Sequence, residues 1–139
     1  MNFLTMISGK GELWSIPKTN LINFESMQNH LKSNNNLIIN TLSEDKQHCL
    51  IINTIHAKEE VKQVEKGLKE NLCCIIYGMH HYDATLVRKY QQLKNLGADR
   101  VLVYGGGMFE WLLLQDIYGN EEFPTTGREL DILKYKPNS

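Results

Sequence analysis

Short apolar runs alternate along the chain with segments in which apolar residues recur every three or four positions. Three of the runs, residues 37–39, Cys73–Tyr77 and Val101–Tyr104, predict buried strands. The longer segments between them predict amphipathic helices. Strands that alternate with helices in this way are typical of a parallel sheet covered by helices. We therefore expect an α/β fold with about five mostly parallel strands, Cys73–Tyr77 at the centre, and helices on both faces.

Four helices are predicted from this periodicity and from residues that favour helix ends. They cover residues 24–32 with Asn23 as the cap, 58–71, a segment from Asp83 to Gly97, and 108–118 before Gly119. In the second and third helices, one apolar face comprises Val61, Val64, Leu68 and Leu72, and the other Leu86, Val87, Tyr90, Leu93 and Leu96. Both faces should pack on the sheet.

Three shorter elements complete the prediction. Residues 13–16 form an extended run closed by Pro17, and residues 50–52 form an apolar run typical of a strand. Thr126 and Glu129 have the spacing of a capping box, which predicts a final short helix through Leu133.

Composition narrows the class of protein. The chain has 139 residues, of which 42% are hydrophobic, enough for one domain with its own core. The net charge is -1, and the charge is balanced along the chain, so no basic face for nucleic acid or anionic lipid is evident. The N-terminus lacks the pattern of a signal peptide, and no apolar run is long enough to span a membrane. We expect a soluble, intracellular protein.

The three cysteines, Cys49, Cys73 and Cys74, have neither CxxC nor Cys/His ligand spacing. This argues against a disulfide scaffold and a structural zinc site, and favours a reducing compartment. We expect the cysteines to be small buried strand residues, and we expect no metal and no cofactor.

The elements between residues 73 and 112 resemble the C-terminal half of a rhodanese domain. In that family an active-site loop follows a central strand, and a later strand leads into a Gly-Gly-x-x-x-Trp segment, which here is Gly106, Gly107 and Trp111. Upstream, residues 37–40 resemble the family's apolar strand that ends in Asp, with Asn40 at the Asp position. The tail from Glu110 resembles uncharacterised rhodanese-like proteins of large DNA viruses and protists, which implies the cytoplasm, or the host cytoplasm or virion.

The resemblance implies that the nucleophile is missing. An active rhodanese carries sulfane sulfur on a cysteine that begins this loop, within a nest of amides closed by an Arg. Here the position is Gly78, and the loop of Gly78, Met79, His80, His81, Tyr82 and Asp83 contains neither Cys nor Arg. Cys73 and Cys74 lie four or five residues earlier in the strand, about 13–17 Å away, too far to substitute. We therefore assign no catalytic residue.

His80 and His81 are the remaining candidates for ligand binding in this loop. They could contact an anion or a metal beside the helix that starts near Asp83, or they could belong to a solvated loop without a ligand. Two adjacent histidines do not easily bind one ion without a third ligand, and Asp83 could equally be a helix cap. Both interpretations remain open.

Three other features have less specific chemistry. Gly105, Gly106 and Gly107 lack the Lys-Ser/Thr of a phosphate loop and the spacing of a dinucleotide site, so they predict a tight turn. The apolar residues 111–114 indicate either core packing or an interaction patch. Glu110 and Asp116 lie on different faces of their helix, which argues against a carboxylate pair for acid/base catalysis.

The leading hypothesis is a non-catalytic rhodanese-like binding or regulatory domain with a protein partner, because the fold signals are present without the nucleophile. The second is an enzyme with an atypical site, either a sulfurtransferase that uses Cys73 or Cys74 or a hydrolase assisted by His80 and His81. The third is a structural component of a viral or cellular complex that contacts its neighbours through residues 111–114.

Overall fold

A five-stranded, all-parallel sheet forms the centre of the protein. The computed structural model describes residues 16–81 and 83–138; residues 13–15 of the first predicted strand and Tyr82 lie outside them. The strands are β1 (Leu21–Ile22), β2 (Asn36–Asn40), β3 (Thr54–Ile55), β4 (Cys73–Tyr77) and β5 (Val101–Tyr104). Their order across the sheet is β1-β5-β4-β2-β3, and every neighbouring pair is parallel. The predicted α/β class is confirmed, with β4 in the middle.

Within the described residues, four α-helices cover the sheet, and short 3₁₀ turns lie in the connections. The helices are α1 (Phe24–Leu31), α2 (Glu60–Lys69), α3 (Thr85–Asn95) and α4 (Gly107–Tyr118), and the 3₁₀ turns are Lys18–Asn20, Glu44–Lys46, Ala57–Glu59 and Ile132–Tyr135. Asn23 caps α1, since its side chain accepts a hydrogen bond from the Ser26 amide. Among the described helices, none is long and apolar enough to cross a membrane.

The strands send alternate side chains into two separate clusters, as the period of two requires. On β4, Ile75 and Tyr77 enter one cluster with residues of α1 and α4, whereas Cys74 and Ile76 enter the other with residues of α2 and α3. The predicted helices on both faces are therefore present. Trp111 and Leu112 of α4 are buried in the first cluster and Leu114 packs against it, so core packing accounts for three of the four residues 111–114, while Leu113 is exposed.

The predicted strand at residues 50–52 is wrong: the sheet strand is β3, at Thr54–Ile55. The amide of Ile51 donates to the Tyr77 hydroxyl at 3.0 Å, and Ile51 makes only an isolated antiparallel bridge with Thr125. Asn53 then adopts a positive φ of 68°, which turns the chain before β3 begins. Leu50 and Ile51 are buried in the core without belonging to a strand of the sheet, and Ile52 is partly buried.

The capping box predicted at Thr126 is also wrong. Thr126 pairs instead with Leu50, donating from its amide to the Leu50 carbonyl and accepting from the Leu50 amide on its hydroxyl. Glu129 accepts hydrogen bonds from Lys134 and from the Asp131 amide and contacts His48, and the chain forms the 3₁₀ turn Ile132–Tyr135. Long-range pairing of Thr126 therefore replaces the local cap.

Two residues assigned to apolar helix faces do not pack on the sheet. Val61 of α2 is 74% exposed, and Leu96, at the end of α3, is 57% exposed. Their neighbours Val64 and Leu93 are buried as predicted. Both predicted faces are therefore wider than the surface that the sheet covers.

The turn between β5 and α4 holds the loop that follows β4. Gly107 has a positive φ of 65°, and a Cβ there would lie 2.6 Å from the Gly78 carbonyl oxygen and 2.8 Å from the Met79 carbonyl oxygen. This close approach lets the Met108 and Phe109 amides donate to those two carbonyls, at 3.0 and 2.9 Å. The amides of the first turn of α4, which have no acceptor within the helix, thus donate hydrogen bonds to the backbone of the loop.

Tyr77→Phe should destabilise the protein by about 1–3 kcal/mol, because it leaves the buried Ile51 amide without its acceptor. Tyr135→Phe is the matched control, because the Tyr135 hydroxyl is buried and has no hydrogen-bond partner among the described residues. That change should be neutral or stabilising. Urea denaturation of both variants measures the difference, and equal losses would contradict the assignment.

Gly107→Ala should cost about 3 kcal/mol or more, since left-handed strain of about 1–2 kcal/mol adds to contact with the loop backbone. Gly97→Ala isolates the strain, because Gly97 has a φ of 99° and nothing lies within 4 Å of the position that its new methyl group would take. The control should lose only about 1–2 kcal/mol of unfolding free energy. Similar losses at both glycines would show that the loop contact contributes nothing.

Candidate functional site

The carboxyl ends of β2 and β4 define the position where a parallel sheet of this order can hold a ligand. From β4 the chain passes through α3 to β5 on one side, whereas from β2 it passes to β3 on the other. Connections that diverge from adjacent strands leave a crevice between their ends. The loop of residues 78–84 and Thr41 lie there, and the Thr41 amide donates to the Tyr77 carbonyl at 3.0 Å.

The space beside Gly78 is already filled by two polar side chains. A Cβ at this buried position would lie 2.6 Å from Asp83 Oδ2 and 2.7 Å from Thr41 Oγ1. Side-chain carbons are not found this close to other heavy atoms. Any residue larger than glycine at position 78 must therefore displace the carboxylate, the hydroxyl or the backbone.

Hydrogen bonds hold the Asp83 carboxylate in that space. Oδ2 accepts from the Met79 amide at 3.1 Å, and Oδ1 accepts from the Thr85 amide at 3.0 Å and the Thr85 hydroxyl at 2.6 Å. The Thr85 hydroxyl also lies 2.6 Å from the Thr41 hydroxyl, which links the carboxylate to the end of β2. The N-cap position of α3 is held by Ala84 and not by Asp83 as predicted, but the Asp83 carboxylate accepts from the first amide of the helix, at Thr85, and also lies within the loop.

His80 and His81 lie on the outer part of the loop. His80 is half-buried, His81 is exposed, and both have interactions in the structure. In residues 16–81 and 83–138, no group of three or more His, Cys, Asp or Glu side chains could hold a metal ion. Ligand binding by the two histidines stays a prediction, and Tyr82 lies outside the described residues.

The cysteine thiols are held in their neutral form. Burial raises the pKa of Cys74 to about 11, and it also raises the pKa of Cys73 and of Cys49. Because the thiolate is the nucleophile, all three are poorly reactive near neutral pH. Cys73 and Cys74 are the first residues of β4, whereas Gly78 follows its last residue, so they lie at opposite ends of this strand.

Asn40, which stands at the Asp position of the family that the sequence resembles, belongs to a buried amide pair that the sequence did not reveal. Its Oδ1 accepts from Gln47 Nε2 at 2.8 Å and from the Leu42 amide, while its Nδ2 donates to Gln47 Oε1 at 3.1 Å. Gln47 Oε1 also accepts from the Ala57 amide. These bonds satisfy both side chains and fix the backbone that leaves β2, which positions Thr41.

Glu110 has a structural partner at the end of β5. The Tyr104 hydroxyl donates to Glu110 Oε1 at 2.6 Å, and burial together with the nearby carboxylate raises the pKa of Tyr104. The phenol therefore remains a proton donor to this carboxylate. Asp116 is exposed further along α4. The two carboxylates do not form a catalytic pair.

The sequence did not single out Thr41, Thr85 or Gln47. Thr41 directly follows a predicted strand, and the carboxyl ends of strands are where parallel sheets place functional side chains. That position was the available signal for Thr41. Gln47 lies in a charged turn, and its role depends on contacts with Asn40 and Ala57 that no local pattern indicates.

Comparison with known proteins supports the α/β fold and gives no information about function. No protein-family model matches the chain, and no curated protein sequence matches it. Among solved structures, the crystal structure of the Alr3790 protein from Anabaena sp. is similar, with a TM-score of 0.57 and 15% sequence identity over 82% of this chain and 98% of that chain. The name of that protein states no activity, substrate or partner, and at this identity the likeness concerns the α/β fold alone.

Proposed function

We propose that the chain is a non-catalytic rhodanese-like domain that acts as a docking or regulatory module for a protein partner. The observation that carries the proposal is the filled space at Gly78, where Asp83 Oδ2 and Thr41 Oγ1 lie 2.6 and 2.7 Å from the Cβ position. In the family that the sequence resembles, this is the position of the sulfur-carrying cysteine. A persulfide needs both a side chain and room, and here neither is present.

The order of elements supports the rhodanese-like part of the proposal. The loop follows the middle strand of the sheet, and β5 leads into the segment with Gly106, Gly107 and Trp111. Two members of that segment have structural roles: Gly107 permits close contact with the loop, and Trp111 is fully buried. The residues that carry the resemblance in this segment are thus residues that stabilise the fold.

The electrostatics of the loop support the non-catalytic part. A reactive cysteine needs surroundings that favour its thiolate, such as converging amides or a cation. Here the Met79 and Thr85 amides already donate to the Asp83 carboxylate. A thiolate at position 78 would face that negative charge, and a nearby like charge raises the pKa of a thiol. The loop therefore opposes the chemistry that the fold usually performs.

We place the domain in a reducing, intracellular compartment as part of the same proposal. All three cysteines are free thiols. Free thiols persist where the surroundings are reducing.

A sulfurtransferase assay tests the proposal. With thiosulfate and cyanide, the protein should form no thiocyanate above the uncatalysed rate, and mass spectrometry after thiosulfate treatment should find no added sulfur. Gly78→Cys should remain inactive, because its thiol would lie against Asp83. Turnover that Cys73→Ser or Cys74→Ser abolishes would overturn the proposal, as would a persulfide on any cysteine. Activity lost in a His80→Ala/His81→Ala variant with an unchanged melting temperature would favour the enzyme hypothesis.

A double-mutant cycle tests whether Asp83 fills the site. Gly78→Ala should destabilise the protein by about 1–3 kcal/mol. In an Asp83→Ala background, the same change should cost about 1 kcal/mol less, because one of the two obstructing atoms has gone. Gly105→Ala is the matched control, since its methyl group would meet only His81 Cβ at 3.8 Å, and its effect should stay within about 0.5 kcal/mol. Additive losses in the cycle, measured by urea denaturation, would contradict this view of the site.

A further inference from the structure

An apolar groove runs between α2 and α3 on the outer surface of the protein. It encloses about 620 Å³ and its apolar lining consists of Val61, Val64, Leu68, Leu93 and Leu96. Val64 and Leu93 form a buried floor, whereas Val61 and Leu96 are 74% and 57% exposed. The groove thus combines a recess with two protruding apolar side chains.

Oppositely charged side chains border the same groove. Glu65 and Lys69 of α2 line it, one helical turn apart, and neither makes an ion pair within the described residues. The third charged residue of the lining, Glu60, forms an ion pair with Lys89 of α3, so the charges at the groove are balanced. A partner with a strong charge of either sign would gain little here.

This arrangement fits a second copy of the same surface. When two identical helices pack antiparallel about a two-fold axis, a residue that lies a given distance before the axis faces the residue that lies the same distance after the axis on the other helix. With the axis between Glu65 and Lys69, each glutamate would face the lysine of the other copy. Each Val61 would then lie near the edge of the opposite groove, and the same patch would serve both sides.

We infer that the α2–α3 groove is a self-association surface through which two copies of this chain form a two-fold symmetric dimer. The inference goes beyond the proposed function and does not depend on it. α2 has 10 residues and α3 has 11, so each is about 15 Å long, and two adjacent helices present a patch about 20 Å wide. Such a patch is smaller than the ~800 Å² per partner of a standard interface, so the dimer should be weak, with a Kd of about 10–100 μM.

Sedimentation velocity of the full chain, from about 10 μM to about 1 mM, should show a concentration-dependent shift from monomer to dimer. Val61→Glu should weaken dimerisation at least about tenfold, because it introduces a charge into the apolar contact. Ile117→Glu is the matched control: Ile117 is 69% exposed on α4, which packs on the opposite face of the sheet, and its dimer constant should not change. Circular dichroism would verify that each variant remains folded.

A charge exchange tests the geometry independently. Glu65→Lys and Lys69→Glu should each weaken the dimer about fivefold, because each places like charges opposite one another. The double variant Glu65→Lys/Lys69→Glu should regain the original affinity. A monomer at all concentrations, equal weakening by Val61→Glu and Ile117→Glu, or a double variant as weak as the single ones would each overturn the inference. None of these results bears on sulfur transfer, so this inference and the proposed function can fail separately.

Discussion

The carboxylate of Asp83 determines the conformation of the chain at the carboxyl edge of the sheet. It accepts hydrogen bonds from the Met79 amide, the Thr85 amide and the Thr85 hydroxyl, and so joins the start of the loop to the start of α3. From the other side, the first amides of α4 donate to the Gly78 and Met79 carbonyls. The loop after the central strand is therefore fixed by a side chain on one flank and by helix amides on the other. Both sets of bonds require glycine, at positions 78 and 107, where a Cβ would lie within 3 Å of its neighbours.

This constraint determines which group meets the amides at the end of the central strand. Amides at the end of a parallel strand and at the start of a helix attract negative charge. In an active enzyme that charge belongs to a substrate or a nucleophile, and it comes and goes during turnover. Here the negative charge belongs to Asp83, a side chain of the loop itself, which accepts hydrogen bonds from the Met79 and Thr85 amides. These hydrogen bonds stabilise the folded loop.

Regular elements could be predicted from the sequence, whereas the contacts that fill the site could not. Strands β2, β4 and β5 and all four helices follow from apolar periodicity and from end residues such as Asn23 and Gly119, because these signals act within a few residues. The error at residues 50–52 arose because the Ile51 amide bonds to Tyr77, 26 residues away. Asp83 was predicted to be a cap from its position alone. Its meeting with Thr41 beside Gly78 depends on tertiary packing, because Thr41 follows β2, and α2 lies in the chain between β2 and the loop. Local patterns predict which residues could be functional, and tertiary packing decides which of them meet.

Each face of the sheet leaves some apolar side chains exposed, and on the α2–α3 face two of them border the groove between these helices. On one face, α1 and α4 are joined by Phe123 and Tyr135 from the C-terminal segment, and the ring of Trp111 packs against that of Phe123. On the other face, α2 and α3 pack on the sheet, and Val61 and Leu96 at their margins stay in contact with water. Exposed branched side chains beside a groove cost solvation free energy of about 25 cal/mol per Å² of apolar surface, which association with another surface would recover. At the α2–α3 face, exposed apolar side chains border a groove beside Glu65 and Lys69, which make no ion pair within the described residues, and the proposed self-association rests on this combination.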